Sequence, residues 1–569
     1  MDVRSIRFRV AAVLAAAGAT VATLVAGASP AVAGETPAAP RLSWQACADG
    51  PAGAQCSVAT VPLDYDHPRG STIGVALAKI PATNPAGRIG TVFINPGGPG
   101  GSGVGLALSG FGEFLRDNLG GRFDVVGFDP RGIGASAPLQ CFGSEAEQAA
   151  YLSEFQVVFP YRAAQERPFF ATSAELAHRC LARDATIARH MSTADVVRDL
   201  DLLRRAVGDR KLTYLGFSYG TYIGNTYANL FPGNVRALVI DGVLDPRLWS
   251  SGWQIKSDRV ATQKEFGEFL RLCDAAGDSC AFAAPGGSAA RWERLASTLR
   301  ARPVTLPDGT TYSYDLLIAD GTSAMYGPED WPGYAELFDL VADAALGDQA
   351  AAGRIAATRA RLADRLRPAR DEPYNNGFEA YYGNQCADTQ YPSTLAAFSA
   401  IGRYAEAGSR FGPYWWWYNT PCATWPTAPD RYAGPWTART SAPVLVVGNY
   451  FDGVTDYAGA QASARLLPNS RLLSYAGWGH TAYGRNTCTT DHIDAYLLTG
   501  ALPPRGTVCP ANPNPFLPTA ASRAAREAPR TVTPPPWGGA TGPPPATHTT
   551  VRPTYTTRPT GGQPPPAKV

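Results

Sequence analysis

Gly216-Phe217-Ser218-Tyr219-Gly220 stands between an apolar, strand-like run, Leu212 to Leu215, and a helix-like run that opens at Thr221. In that setting a strand-to-helix turn presents a serine hydroxyl for nucleophilic attack. A turn this sharp holds the serine in a strained backbone conformation, and small neighbours relieve the crowding. Gly216 and Gly220 fill those flanks. The following N–H, that of Tyr219, faces the oxyanion that attack would create. With 59 glycines in the chain, roughly 0.3 such patterns arise by chance, so the motif alone does not separate a nucleophile from an ordinary serine on a glycine-rich turn.

A serine hydroxyl needs a general base, an acid to orient that base and a second oxyanion donor. The chain has six histidines: His67, His178, His190, His480, His492 and His548. If the acid and the base follow the serine on loops after later strands, the base is among the last three. His480 lies in Ala476-Gly477-Trp478-Gly479-His480, just after the apolar run Arg471 to Leu473. His492 falls in a helical pattern and His548 in a Pro/Thr-rich tail. Asp452 follows Pro443 to Gly448, a run suited to a buried parallel strand. Asp456 is its rival, with a helix N-cap as the alternative role.

An earlier strand-like run, Thr91 to Ile94, leads into Asn95-Pro96-Gly97-Gly98-Pro99-Gly100-Gly101-Ser102-Gly103. Such a loop exposes backbone N–H groups and can serve as an oxyanion site or a phosphate cradle. It lacks the Gly-Lys-Ser/Thr ending of a phosphate loop and the spacing of a dinucleotide fingerprint, which favours the oxyanion reading. Asp129-Pro130-Arg131-Gly132-Ile133-Gly134 follows another buried strand, and its Asp129 and Arg131 are expected to pair and fix that loop.

Taken together, the Asn95 loop, Asp129-Pro-Arg-Gly-Ile-Gly, Gly216-Phe-Ser-Tyr-Gly, Asp452 and Gly479-His480 resemble the α/β-hydrolase aminopeptidases related to prolyl iminopeptidase. The resemblance covers residues 40 to 510 and is strongest to the secreted tripeptidyl aminopeptidases of actinobacteria. Asn95 stands where the prolyl iminopeptidase branch usually has histidine, which favours the tripeptidyl branch. The resemblance implies an α/β-hydrolase fold with a mostly parallel central sheet, Ser218 as nucleophile, His480 as base and Asp452 as orienting acid. The N–H groups of Tyr219 and Gly98 would be the oxyanion donors. The implied substrate is a peptide with a free amino terminus, shortened by tripeptides or other short peptides, and no cofactor is required. A carboxylesterase using the same triad and a non-catalytic envelope binding protein are the alternatives.

Ser218 and Asp452 are far apart in a chain of 569 residues, and helix-like segments at 256–274, 289–300 and 350–366 lie between them. This predicts a helical cap over 246–440, inserted between core segments 34–245 and 441–511. An exopeptidase needs a group that recognises the substrate ammonium and stops the chain there. The candidates are Glu329, Asp330, Glu379 and Asp388, the last in a cysteine-plus-aspartate element resembling that of the tripeptidyl family. Tyr414-Trp415-Trp416-Trp417-Tyr418 and Trp425 either line that pocket or pack inside the cap.

Arg4, Arg7 and Arg9, the mostly apolar run Val10 to Ala26 and Ala31-Val32-Ala33 read as an export signal over 1–33. No later run of about 18 apolar residues suggests a membrane span. The ten cysteines suit an oxidising compartment, and their order suggests bridges Cys47–Cys56, Cys141–Cys180, Cys273–Cys280, Cys386–Cys422 and Cys488–Cys509. No Cys-x-x-Cys pair occurs, so a metal site is not expected. The net charge of +2 recommends no nucleic-acid partner, and a monomer is the starting assumption. From 512 the chain turns to Pro, Thr and Gly, a composition that does not fold by itself. The expected product is secreted, with the tail as a wall-associated spacer or a trimmed extension.

Overall fold

Val92-Phe93-Ile94, Val125-Val126, Leu238-Val239-Ile240 and Val444 to Val447 are apolar on both sides of an extended chain, as strands covered on two faces require. The computed structural model describes residues 37–364, 375–428 and 430–518. The segment expected to be an export signal and all but the first residues of the expected tail lie outside them.

The described strands in chain order are β1 (Gln45–Ala46), β2 (Gln55–Pro62), β3 (Thr72–Ile80), β4 (Gly90–Asn95), β5 (Phe123–Phe128), β6 (Leu212–Phe217), β7 (Val235–Asp241), β8 (Val304–Thr305), β9 (Thr311–Tyr312), β10 (Val444–Phe451), β11 (Ser470–Trp478) and β12 (Val508–Cys509). Ten of them form one sheet in the order β1-β2-β3-β5-β4-β6-β7-β10-β11-β12, and β8 and β9 form a separate hairpin. From β5 to β12 all neighbours are parallel, while β2 and β3 are antiparallel to theirs.

The two-residue period of a strand divides each run between two cores. Phe93, Tyr214, Leu238, Ile240 and Val446 join one cluster with the helices Thr193–Ala206 and Tyr219–Leu230. Val92, Ile94, Leu215, Val239 and Val447 face the opposite cluster, which includes Phe111 and the helix Thr487–Thr499. The sheet is therefore mostly parallel with helices on both faces, and the loops after β4, β6, β7, β10 and β11 gather at its carboxyl edge.

Between β7 and β10 the chain runs mainly through helices, including Ile255–Ala276, Ser288–Ala301, Tyr314–Ala324, Trp331–Ala345, Gln349–Asp364, Gly377–Asp388 and Leu395–Glu406. Tyr414, Trp415, Trp416 and Trp417 are buried in the apolar core of this segment, and Tyr418 and Trp425 pack with Cys386 and Cys422. Packing thus accounts for the aromatic run. The helix Ala163–Ala188 also packs here although it precedes β6: Phe169 meets Trp417 with ring centroids 6.0 Å apart, and Phe170 meets Phe398 at 5.6 Å.

Disulfides join Cys47 to Cys56, Cys141 to Cys180, Cys273 to Cys280, Cys386 to Cys422 and Cys488 to Cys509. Ordered structure passes the expected tail boundary. The Asn512 side chain donates to the Arg485 carbonyl, and Phe516, 4% exposed, lies 5.2 Å from Phe269 and 6.0 Å from Trp331. One aromatic side chain with a place in the core outweighs the local composition. No helix among the described residues is long and apolar enough to cross a membrane.

Candidate active site

Ser218 sits between the end of β6 and the helix Tyr219–Leu230 with φ 55° and ψ −124°, a strained combination for a non-glycine residue. Its flanks must be small. A Cβ on Gly216 would lie 2.5 Å from the Gly220 carbonyl oxygen, and one on Gly220 would lie 2.9 Å from that of Asn95. The Ser218 N–H donates to the Asp241 carbonyl at the end of β7, which seats the turn against the neighbouring strand.

The glycine loop after β4 presses on this turn. Gly97 has φ +88°, and a Cβ there would lie 2.7 Å from Tyr219 N and 2.9 Å from Ser218 Cβ. The Gly97 N–H is taken by Asn95 Oδ1 at 2.9 Å, and Gly101 N–H closes the loop on the Gly97 carbonyl. Gly98, with φ +107°, is the next N–H along. Asp129 holds the far end of this loop by accepting from Ser102 Oγ at 2.6 Å and Val104 N–H at 3.0 Å.

Arg131 is not the partner of Asp129, contrary to the expectation from their proximity in sequence. Its buried guanidinium forms a fork with Asp199, with Nε–Oδ2 at 2.8 Å and Nη2–Oδ1 at 2.7 Å. Asp199 comes from the helix Thr193–Ala206. Asp129 instead accepts from the Ser102 hydroxyl and from the N–H groups of Val104 and Ala135.

His480 and Asp452 come together across the ends of β11 and β10. His480 Nδ1 lies 3.1 Å from Asp452 Oδ1 and 3.0 Å from Oδ2, and both residues are buried. Asp452 also accepts from Val454 N–H, Thr455 N–H and Thr455 Oγ1. His480 Nε2 is buried with no protein partner among the described residues. Asp456 caps the helix Tyr457–Leu466 through Ala458 N–H, so it is Asp452 that meets the imidazole.

Three residues outside the sequence reading hold this arrangement. Asp241 Oδ2 accepts from Ala482 and Tyr483 N–H at 3.0 and 2.9 Å, so one residue ties the serine turn to the histidine loop. Burial pushes its carboxyl up to about 6. Asn449 donates to the carbonyls of Gly479 and Thr481. Arg485 donates to the carbonyls of His480 and Thr481. Asp241 was signalled by its position at a strand end, whereas Arg485 had no local signal.

The four acids expected to meet a substrate ammonium are placed differently from one another. Glu329 pairs with Arg485 at 3.2 Å. Glu379 is fully buried and accepts from Gln148 Nε2 at 2.9 Å. Asp330 is buried at the head of the helix Trp331–Ala345. Asp388 accepts from Thr193 N–H at 2.8 Å and Thr193 Oγ1 at 2.6 Å, with the Tyr219 hydroxyl at 3.4 Å. Burial pushes Asp388 up to about 7.

Asp258 was not singled out by sequence. It is 7% exposed on the helix Ile255–Ala276, and Gln254 Nε2 donates to its Oδ1 at 2.8 Å. Burial raises its pKa well above the ordinary carboxylate range. One turn along, Thr262 Oγ1 donates to the carbonyl of Gly453, next to Asp452. Tyr326, whose ring stands perpendicular to His480 at 5.5 Å, feels the charges of both Asp452 and Asp258.

Residues 90–284 match the α/β-hydrolase fold family, and residues 407–509 match the TAP-like protein family. The chain is 33% identical to the tripeptidyl aminopeptidase of Streptomyces coelicolor over 83% of its own length and 87% of that relative. It belongs to this family of α/β-hydrolases. Serine protease Hip1 of Mycobacterium tuberculosis is 32% identical, with 81% and 88% covered. A protein of the same organism named carboxylesterase B is 31% identical, with 84% and 92% covered. This tripeptidyl aminopeptidase-like chain is thus a serine hydrolase of the peptidase type.

Proposed function

We propose that the protein is a secreted serine aminopeptidase that releases tripeptides from the free amino termini of peptides. The observation that carries this reading is the His480 imidazole, bound through Nδ1 to Asp452 and unshared at a buried Nε2, on the same sheet edge as a serine held at positive φ. An imidazole fixed in this way accepts the proton of Ser218 as its Oγ attacks the scissile carbonyl. Asp452 stabilises the imidazolium. The Tyr219 and Gly98 N–H groups receive the oxyanion. Collapse of the tetrahedral intermediate expels the amine, which takes its proton from His480 Nε2, and leaves a Ser218 ester. Water, deprotonated by the same nitrogen, then hydrolyses the ester and restores the serine.

Residues 246–440 are read as a cap over this edge. For the substrate ammonium the geometry supports Asp258 over Glu329, Asp330, Glu379 and Asp388. Its carboxylate has one amide partner and no cation among the described residues, and its charge reaches Tyr326, whose ring packs against His480. A substrate ammonium would supply the missing charge and draw the buried acid into its ionised form. The five disulfides suit an oxidising compartment, which supports export.

The relative named carboxylesterase B favours one rival, an esterase with the same triad. Both are separated by mass-spectrometric product analysis of one decapeptide, with its amino terminus free and then acetylated, using the wild-type protein and Ser218→Ala. Stepwise release of tripeptides from the free form alone is the expected result. Cleavage of neither form, with ester substrates still hydrolysed, would put the esterase in its place.

A further inference from the structure

We infer that Glu265, on the helix Ile255–Ala276, is a positioning residue that keeps the Asp452 and His480 loops in register. The inference rests on the triad reading above but not on the choice of peptide substrate.

Glu265 is fully buried, and its two oxygens are divided between the two loops. Oε2 accepts from Gly453 N–H at 2.6 Å and Oε1 from Gly479 N–H at 2.6 Å. Gly453 follows Asp452 and Gly479 precedes His480, so one carboxyl group bridges the backbone on either side of the acid–base pair. Its neighbours on the same helical face reinforce the contact. Thr262 Oγ1 donates to the Gly453 carbonyl at 2.5 Å, and Glu268 accepts from Trp478 Nε1 at 3.1 Å.

The residue type fits the task. A side chain with two acceptor oxygens can satisfy both N–H donors at once, whereas an amide offers one acceptor and turns its NH2 toward the other loop. The approach is close: a Cβ on Gly453 would lie 2.4 Å from Glu265 Oε2. Burying an acid here is costly, and burial together with the charge of Asp452 raises its pKa well above the usual range. An apolar residue would fill the space at lower cost, but it would leave the Gly453 N–H without an acceptor and the Gly479 N–H with the Phe451 carbonyl alone. The Asp452–His480 contact spans loops from different strands, and catalytic groups must be held to within about 0.5 Å of their working positions. The strands deliver the two loops side by side, and Glu265 ties the residue after the acid to the residue before the base.

The test is Glu265→Gln, assayed on a p-nitrophenyl ester and on a free-amine tripeptide p-nitroanilide, with the rate of Ser218 labelling by a fluorophosphonate measured in parallel. The expected result is a kcat lower by roughly 10- to 100-fold on both substrates, KM within about twofold, slower labelling by a similar factor, and an unchanged far-UV circular dichroism spectrum. Glu265→Asp, which keeps two oxygens on a shorter stem, should fall between the variant and the wild type. An unchanged kcat in Glu265→Gln, or a change confined to KM, would overturn the inference. So would unfolding of both variants, which would make Glu265 a stability residue. If only the anilide assay fails in the wild type, the ester and the labelling rate still decide the matter. Wild-type protein inert to both would remove the triad reading, and this inference with it.

Discussion

The carboxyl edge of the sheet and the helices laid against it both bury acidic residues, and they use them differently. At the edge, Asp241 and Asp452 stand at strand ends, and their oxygens are occupied by N–H groups of the loops that carry the chemistry. In the helical segment the acids meet side chains from far away in sequence: Glu329 meets Arg485, Glu379 meets Gln148 and Asp388 meets Thr193. Asp258 differs from these in that its partner, the Gln254 amide, comes from one turn earlier on the same helix. At a strand end the backbone dictates what an acid does. On a helix its role follows from whichever distant element packs against it.

The sharpest test of the edge is Ser218→Ala. It should lower turnover by about 10⁴-fold or more while the melting temperature stays near that of the wild type, because Ser218 holds its turn through backbone atoms. Substantial residual peptidase activity would move the nucleophile elsewhere. Gly97→Ala comes next, since the new methyl group would meet the Phe217 carbonyl oxygen at 2.4 Å and Tyr219 N at 2.7 Å. Displacement of the oxyanion donors should cost roughly 10²- to 10³-fold in kcat, on esters and peptides alike. A loss confined to peptides would break the assignment of this loop to the reacting carbonyl.

The same contrast explains what was legible in the sequence. The serine turn, the glycine loop and the β10 and β11 loops are written in residue types that backbone geometry demands. Gly97, Gly216 and Gly220 are glycines because any side chain would collide. The apolar runs fixed strand type, and order along the chain set aside three of the other histidines, while a helical pattern and a tail composition set aside His492 and His548. Helical acids carry no such mark. Glu329, Asp330 and Glu379 looked alike in sequence, Asp388 stood apart only through its resemblance to a family element, and Asp258 and Glu265 resembled ordinary residues of an amphipathic helix. Asp129 and Arg131 failed as a pair because Asp199, sixty-eight residues from Arg131, offers the better fork. Phe516 escaped notice because its neighbours are those of a tail.

On the helical side, Asp258→Asn should raise KM for free-amine peptides by roughly 10- to 100-fold, the cost of losing one partner of a buried charge pair. Hydrolysis of simple esters should be spared. Equal effects on both substrates would show that Asp258 supports the fold or the triad and does not meet an ammonium.

Asp388→Asn should have the smallest effect, and its sign distinguishes a buried structural acid from a substrate anchor. Burial holds the Asp388 carboxyl at about 7 against an ordinary value of 3.8, although its bonds to Thr193 and Tyr219 pull it down. The folded state therefore binds this proton more tightly than the unfolded state. The stability this contributes is complete below about pH 4 and is lost as pH rises through about 7. Over that range the wild type should lose roughly 1 kcal/mol per pH unit from this group. The asparagine variant cannot ionise there, so its melting temperature should gain on that of the wild type between pH 5 and pH 8. Asp241, pushed up to about 6, contributes with the same sign in both proteins and cancels from the difference. Because Asp388 reaches the site only through Thr193 and the Tyr219 ring, kcat and KM should move less than about threefold. A rise in KM confined to free-amine peptides would instead place Asp388 against the substrate and leave Asp258 as a structural acid.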